Sequence, residues 1–372
     1  MRIDLFKMER TQCLYEHTVQ YNLSESGVLP IELGELLKDE TRAAELISGK
    51  LGYPPAGGSD LLRQYIASYH GANQDNVRVT NGSSEANFMI FWGLLEKGDR
   101  AAIMIPNYLQ TWGLARHFVG RADTFGLVER GSRWKLDIDG LRRAVHKQTK
   151  IILITNPNNP TGAVLTEDEI KEVVSTARRV GAWIVADEVY RGAELSEQST
   201  PSFWGRYSRV IVVSGLSKAF GLPGLRIGWM LGPPKTVAKL ESYHDYLTLT
   251  PSMLSDRLAT LAMERKQRDQ LLERTRRIVR TQWPILQNWI QQHSQLSCVP
   301  PQAGAIGLIR YRTPLSSTQL FDRLRLEESV LITPAAHYGL NGKYFRVGFG
   351  YDPKRLQEGL NRISQFFSKL KS

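Results

Sequence analysis

Short runs of β-branched and aliphatic residues recur along the chain at Val77–Thr80, 101–105, 122–128, 150–155, 182–186 and 209–213. They are separated by longer stretches in which apolar residues return at helical spacing, as at 84–97 and Glu167–Val180. Parallel neighbours in a sheet need a crossover long enough to hold a helix, so this alternation predicts an α/β fold with a mostly parallel sheet flanked by helices. The run Ile151-Ile-Leu-Ile154 is unbroken rather than alternating, as expected of a strand covered on both faces. The large α/β domain is expected over 41–270. After residue 235 the text turns to charge-rich helical segments, and beyond Cys298 strand-like pieces at Ile306–Tyr311 and 344–349 surround a helical 318–326. These predict a smaller α+β domain over 271–372. Residues 1–40 show no period and are expected to return and pack with it.

Composition excludes several classes. With 372 residues, 42% apolar and 23% charged, the chain can bury a large core and is not disordered. The excess of 48 Lys and Arg over 37 Asp and Glu, net +11, suits an acidic ligand or a nucleic acid without requiring either. The arginines at 274–280 sit among Leu and Ile at helical spacing and read as a solvated helix face; no nucleic-acid motif accompanies them. Cys13 and Cys298 form neither a disulfide framework nor a zinc pattern, and the seven histidines include no His-Glu-x-x-His, so no metal is expected. Dinucleotide, P-loop and serine-elbow motifs are absent. The N-terminus is interrupted by charge and no apolar run approaches the roughly 20 residues of a membrane span, which predicts a cytoplasmic protein.

The stretch Ser214-Gly-Leu-Ser-Lys218-Ala-Phe-Gly-Leu-Pro-Gly-Leu-Arg226-Ile-Gly228 carries the chemistry. It sets a lysine just past the end of an apolar strand, in a glycine-bearing turn, with an arginine eight residues on. Ligands collect at such strand ends, and a partly desolvated lysine there can attack a carbonyl. The ordinary alternative is a surface lysine in a loop.

Gly215-Leu-Ser-Lys218 through Arg226-Ile-Gly228 resembles the pyridoxal-phosphate attachment motif of the class I and II aminotransferases, of fold type I. Matching segments follow in the family's order: Tyr53-Pro-Pro-Ala-Gly-Gly-Ser-Asp-Leu-Leu-Arg63, Thr80-Asn-Gly-Ser-Ser-Glu-Ala86, Asn156-Pro-Asn-Asn-Pro-Thr-Gly162, Asp187-Glu-Val-Tyr190 and Tyr344-Phe-Arg-Val-Gly348. The likeness spans roughly residues 20–365. It implies a large domain with a seven-stranded type of sheet plus a small α+β domain, pyridoxal 5′-phosphate as cofactor, and a homodimer.

The resemblance also implies roles. Lys218 would bond the cofactor aldehyde and carry a proton at the substrate's α-carbon. Asp187 would pair with the ring nitrogen, while Tyr190 and Asn159 would hydrogen-bond the phenolic oxygen. Gly82, Ser83 and Ser84, opening a helix, would receive the phosphate together with Arg226 and Ser217; alone, the serines read equally well as an N-cap. Tyr108 would stack on the ring, and Tyr53 would reach the neighbouring subunit's cofactor phosphate. Arg346, whose planar fork suits a carboxylate, would hold the substrate α-carboxylate, the alternative being a strand-edge surface arginine. Trp112 is expected in the core.

Two positions depart from the family pattern. Gly215 stands where many members have Ser, with Ser217 or Ser214 as substitutes. The N-terminal substrate loop reads Asn22-Leu-Ser-Glu-Ser-Gly-Val28 and brings Ser26 and Glu25 toward the substrate. Glu25 predicts a pocket favouring a basic or polar amino acid over aspartate, unless it faces solvent. The expected reaction moves an α-amino group from an amino acid to a 2-oxo acid. A β-eliminating lyase, a decarboxylase and an oxidase-like branch share the first steps and stay open. A non-catalytic sensor would need a DNA-binding module, for which the first forty residues are too short.

Overall fold

The computed structural model describes residues 3–370. Its central sheet has eight strands: β1 (Val77–Thr80), β2 (Arg100–Ile105), β3 (Ala122–Arg130), β4 (Arg133–Leu136), β5 (Thr149–Thr155), β6 (Trp183–Asp187), β7 (Val210–Gly215) and β8 (Gly228–Leu231). Their spatial order is β1-β8-β7-β6-β5-β2-β3-β4. From β7 to β3 all neighbours are parallel, β8 is antiparallel to both its neighbours, and β4 closes as a hairpin on β3. The predicted α/β architecture is present, with β4 and β8 added to the strands read from the sequence. β8 escapes that reading because it is only four residues long and is entered from β7 by a loop instead of a helical crossover.

That reversal positions the chemistry: the loop between β7 and β8 carries both Lys218 and Arg226. The helices around the sheet have local causes. Among them are α1 (Lys7–Tyr15), α2 (Ser83–Leu94), α3 (Glu167–Val180) and α4 (Arg265–Gln291). In α3 a Thr166–Glu169 capping box satisfies the first turn, and Gly181, at φ +71°, ends the helix in the left-handed region. The alternation within β5 divides the burial. Ile151 and Leu153 face one core with Met89, Ile90 and Phe91 of α2, and Ile152 and Ile154 face another with Val173 and Ala177 of α3. Full burial of each such side chain stabilises by about 1.5–3 kcal/mol, which is why the run is apolar throughout.

A second, antiparallel sheet holds β9 (Leu296–Cys298), β10 (Ile306–Tyr311), β11 (Thr333–Pro334) and β12 (Tyr344–Gly348) in the order β9-β10-β12-β11. Its core gathers Ile309, Phe345, Val347, Leu320, Leu360 and Phe366, and Tyr21, Leu23 and Val28 from near the N-terminus join it. Tyr21–Asn22 pairs in parallel with Val330–Leu331. Helix α4 joins the two bodies: Leu271 and Leu272 belong to the large-sheet core, and Val279, Leu286 and Trp289 to the other. Its arginine-rich stretch is spent on local pairs, Arg276 with Glu273 and Arg280 with Glu197. Among the described residues, no helix is long and apolar enough to cross a membrane.

Candidate active site

A cavity of about 290 Å³ opens at the C-terminal ends of the parallel strands, where Thr155 ends β5, Asp187 ends β6 and Lys218 follows β7. Adjacent parallel strands end side by side, so residues distant in sequence meet there. Lys218 Nζ donates a 2.8 Å hydrogen bond to Ser26 Oγ. Burial holds its pKa below the usual lysine value, because desolvation penalises the charged amine. Asp187 is 9% exposed and its Oδ1 accepts from the Val189 amide at 3.2 Å. Burial pushes its pKa up to about 6, so this carboxylate lacks the full compensation a buried charge needs. Tyr190 is buried on the same wall, its hydroxyl has no partner among the described residues, and burial moves its pKa to about 12.

The turn after β5 shows how Asn159 is freed for the cavity. Asn156 Oδ1 accepts from the Leu165 amide at 2.9 Å, and Asn158 Oδ1 accepts from the Thr161 hydroxyl at 2.7 Å. Those two side chains knit the turn, as the turn reading expects. Asn159 instead lines the cavity and accepts from Arg346 Nη1 at 3.0 Å.

On the opposite wall, Ser83 and Ser84 begin α2, whose first amides lack intrahelical partners. Gly82 precedes them at φ +80°, and a Cβ there would lie 2.6 Å from Arg226 Nη2. Glycine therefore supplies the backbone conformation and lets the guanidinium lie against the helix N-terminus. The result is an anion site of backbone N–H groups, hydroxyls, helix dipole and arginine. Arg226 Nη1 also donates to Ser217 Oγ at 3.4 Å. Gly215 pairs in register with Gly228, and a Cβ on Gly215 would meet Ile227 O at 2.9 Å, so β7 and β8 approach too closely there for a serine without adjustment. Of the two proposed substitutes, Ser217 lines the cavity, and Ser214 is turned away with its hydroxyl on Glu188 O at 3.4 Å.

Tyr108 lines the cavity and donates from its hydroxyl to Glu9 Oε1 at 2.9 Å. Ser26 and Glu25 also lie on the wall, Ser26 buried and Glu25 half-buried. Three expected residues do not line it: Gly82, which sits just before Ser83, and Arg346 and Tyr53. Arg346 is 1% exposed at the centre of the small sheet, paired on both sides, so it is not a strand-edge surface arginine. It stands behind Asn159, donates also to Ser24 O and to Thr333 Oγ1, and its Nε has no partner. Tyr53 is 85% exposed and lines a separate surface hollow with Asp256 and Arg257. Trp112 packs on the α2 side of the sheet beneath Arg116.

The sequence reading misses α1, whose Met8, Glu9 and Gln12 line the cavity together with Glu16 just past its end. Its nine residues carry a weak amphipathic pattern and no motif. Asn87 is also missed, although a polar side chain inside the apolar text of α2 is itself a signal. It is 2% exposed, lines the cavity, and its Oδ1 has no partner among the described residues.

Known proteins carry the same plan. The family model "Aminotransferase class I and II" matches residues 20–363. The chain belongs to the class I and II aminotransferases. A curated relative of this aminotransferase-family enzyme, capreomycidine synthase from Streptomyces vinaceus, is 29% identical over 356 residues, covering 92% of this chain and 89% of the relative. Among solved structures, a PLP-dependent aminotransferase from Streptococcus suis superposes with a TM-score of 0.93 at 29% identity, covering 100% of this chain and 99% of that one. The PLP-dependent cyclase OrfR superposes with a TM-score of 0.89 at 25% identity, covering 99% and 98%.

The cofactor of the enzyme is pyridoxal 5′-phosphate, and the residues present fit it. The anion site at α2 suits the phosphate and the uncompensated Asp187 carboxylate suits a protonated ring nitrogen. The orphan hydroxyl of Tyr190 suits the phenolic oxygen, and the desolvated Lys218 amine suits the aldehyde.

Proposed function

We propose that the enzyme transfers the α-amino group of an amino acid to a 2-oxo acid. The carrying observation is the Lys218 amine, buried and parked 2.8 Å from Ser26 in the cavity that also holds Asp187 and Tyr190. When bound, the cofactor supplies an electron sink for the substrate's α-carbon. Lys218 would anchor it and then move a proton at that carbon, and burial, which lowers its pKa from the usual lysine value, favours the neutral amine that a base requires. Asp187 keeps the ring nitrogen charged. Tyr190 and Asn159 orient the ring through its phenolic oxygen, Tyr108 covers its face, and Gly82, Ser83, Ser84, Ser217 and Arg226 hold the phosphate. Arg346 takes the substrate α-carboxylate; its unpartnered Nε and its bond to Asn159 support this.

Tyr53 acts across a homodimer. Its 85% exposure, beside Ile47 at 84% and Leu51 at 83%, supports an apolar surface that a second copy covers.

Mixing the cofactor-loaded enzyme with single amino acids tests the reading. Transamination bleaches the cofactor absorbance with release of one equivalent of 2-oxo acid and no ammonia. A second reading, in which the same site carries out ring closure or elimination without net amino transfer, draws on the likeness to the capreomycidine synthase and the cyclase. It predicts cofactor absorbance that recovers without an acceptor, and either a cyclised product or released ammonia.

A further inference from the structure

The cavity wall nearest the N-terminus is acidic. Glu9 of α1, Glu16 just past its end and Glu25 of the 22–28 loop all line it, and Gln12 ties the helix to the loop through hydrogen bonds of 3.2 Å to Ser24 O and Oγ. Glu9 is engaged by the Tyr108 hydroxyl, and Glu16 lies 3.3 Å from the exposed His17 ring. Glu25 is half-buried and has neither an ion pair nor a hydrogen bond to its carboxylate among the described residues. The cations near this wall are Lys218, Arg226 and Arg346, and the proposed reaction commits each of them: to the cofactor aldehyde, the cofactor phosphate and the substrate α-carboxylate. Once those groups are in place, Glu9 and Glu25 have no ion-pair partner among the described residues, and Glu16 has the exposed His17 ring alone. Burial holds the pKa of Glu16 up, and the nearby Glu25 and Glu9 carboxylates add to that shift. Among the described residues no three carboxylate, His or Cys side chains converge closely enough to hold a metal ion, so the wall suits a larger organic cation. That the cavity is built for a ligand is independently marked by Asn87 of α2, 2% exposed, lining the same cavity with its Oδ1 unpartnered among the described residues.

We infer that the amino-acid substrate carries a cationic side chain, a guanidinium or ammonium, received by Glu25 with Glu9 and Glu16, while its α-carboxylate goes to Arg346. The inference rests on the reading of the site as one that processes an amino acid. Ser24 O meets Arg346 and Ser26 meets Lys218, so Glu25 stands between the residue that takes the carboxylate and the residue that takes the amine. A basic side chain leaving the α-carbon finds a carboxylate within one short loop. Aspartate or glutamate would instead meet repulsion from all three.

The experiment titrates the cofactor-loaded enzyme with L-arginine, L-lysine, their uncharged near-isosteres L-citrulline and L-norleucine, and L-glutamate. Affinity is read by calorimetry and reaction by cofactor absorbance. The expected result is at least tenfold tighter binding of one basic amino acid than of its uncharged isostere, with glutamate weakest. Glu25→Gln should reduce that ratio to within threefold while the isostere's own affinity changes less than threefold. A role of Glu25 in tuning Lys218 alone would move both members of the pair together and overturn the inference, as would equal binding or a preference for glutamate in the wild type. If basic amino acids bind preferentially but no 2-oxo acid appears, the transfer reading fails and this inference stands. If uncharged or acidic amino acids are the ones transaminated, the reverse holds.

Discussion

Asn159 Oδ1 accepts a 3.0 Å hydrogen bond from Arg346 Nη1, joining a side chain on the cavity wall of the large domain to a buried guanidinium at the centre of the small sheet. The arginine proposed for the substrate carboxylate and the asparagine proposed for the cofactor are thus linked directly across the two sheets.

Arg346→Lys keeps the charge and loses the planar fork. Losing charge-assisted hydrogen bonds costs about 3 kcal/mol, so kcat/KM for the amino acid should fall about 100-fold with cofactor occupancy unchanged. Steady-state kinetics beside the cofactor absorbance of the purified variant check both halves. Asn159→Ala should be non-additive with it, since the two share a hydrogen bond.

Lys218→Ala removes the amine. After borohydride treatment, peptide mass spectrometry should find the cofactor bonded at position 218 of the wild type and absent from the variant. Turnover should fall by about 10²–10⁴, the contribution of a positioned acid–base group, or further. A variant of near-normal rate would refute the assignment of Lys218.

Asp187→Asn should cost activity far more than cofactor occupancy, and should change stability with a defined sign. Burial raises Asp187 from 3.8 to about 6 and its neighbour Glu188 from 4.5 to about 7. The folded, cofactor-free protein therefore binds more protons than the unfolded chain in this range, and its stability falls as pH rises from about 4 to about 7. The cofactor-free variant should melt above the wild type at pH 8 and lose that advantage near pH 4. Melting curves at pH 4, 6 and 8 decide it.

Gly228→Ala tests the close approach of β8 to the phosphate site. A Cβ there would fall 2.3 Å from Ser83 N and 2.4 Å from Gly82 C, which are backbone atoms that cannot swing aside. Overpacking of this kind costs about 1–3 kcal/mol, and here it also displaces the amides offered to the phosphate. The melting temperature should drop and the cofactor dissociation constant should rise together. Gly224→Ala, with open space around its Cβ, should change neither by much.

The legible parts of the molecule were those with a local cause. β1 and α3 stand at their expected bounds because β-branched runs and a capping box act within a few residues. Lys218, Asn159 and Arg226 could be singled out because each sits in a turn whose glycines, prolines and polar caps leave a mark in the text, and Asp187 because it is a carboxylate ending an apolar strand. β8 was not legible because four residues after an irregular loop carry no period of their own. Nor was α1, whose acidic face has a purpose only when the large domain lies beneath it.

Sequence alone therefore determined the alternating α/β plan and the motif that marks Lys218 and the residue types of its neighbours, because hydrophobic period and turn chemistry are encoded over short stretches. Only the tertiary structure decided that Arg346 lies behind Asn159, that Ser217 and not Ser214 lines the cavity, and that Glu9, Glu16 and Glu25 line it together. Those relations join segments separated by up to hundreds of residues, and such distances are set by the packing of two cores against each other, which no local pattern records.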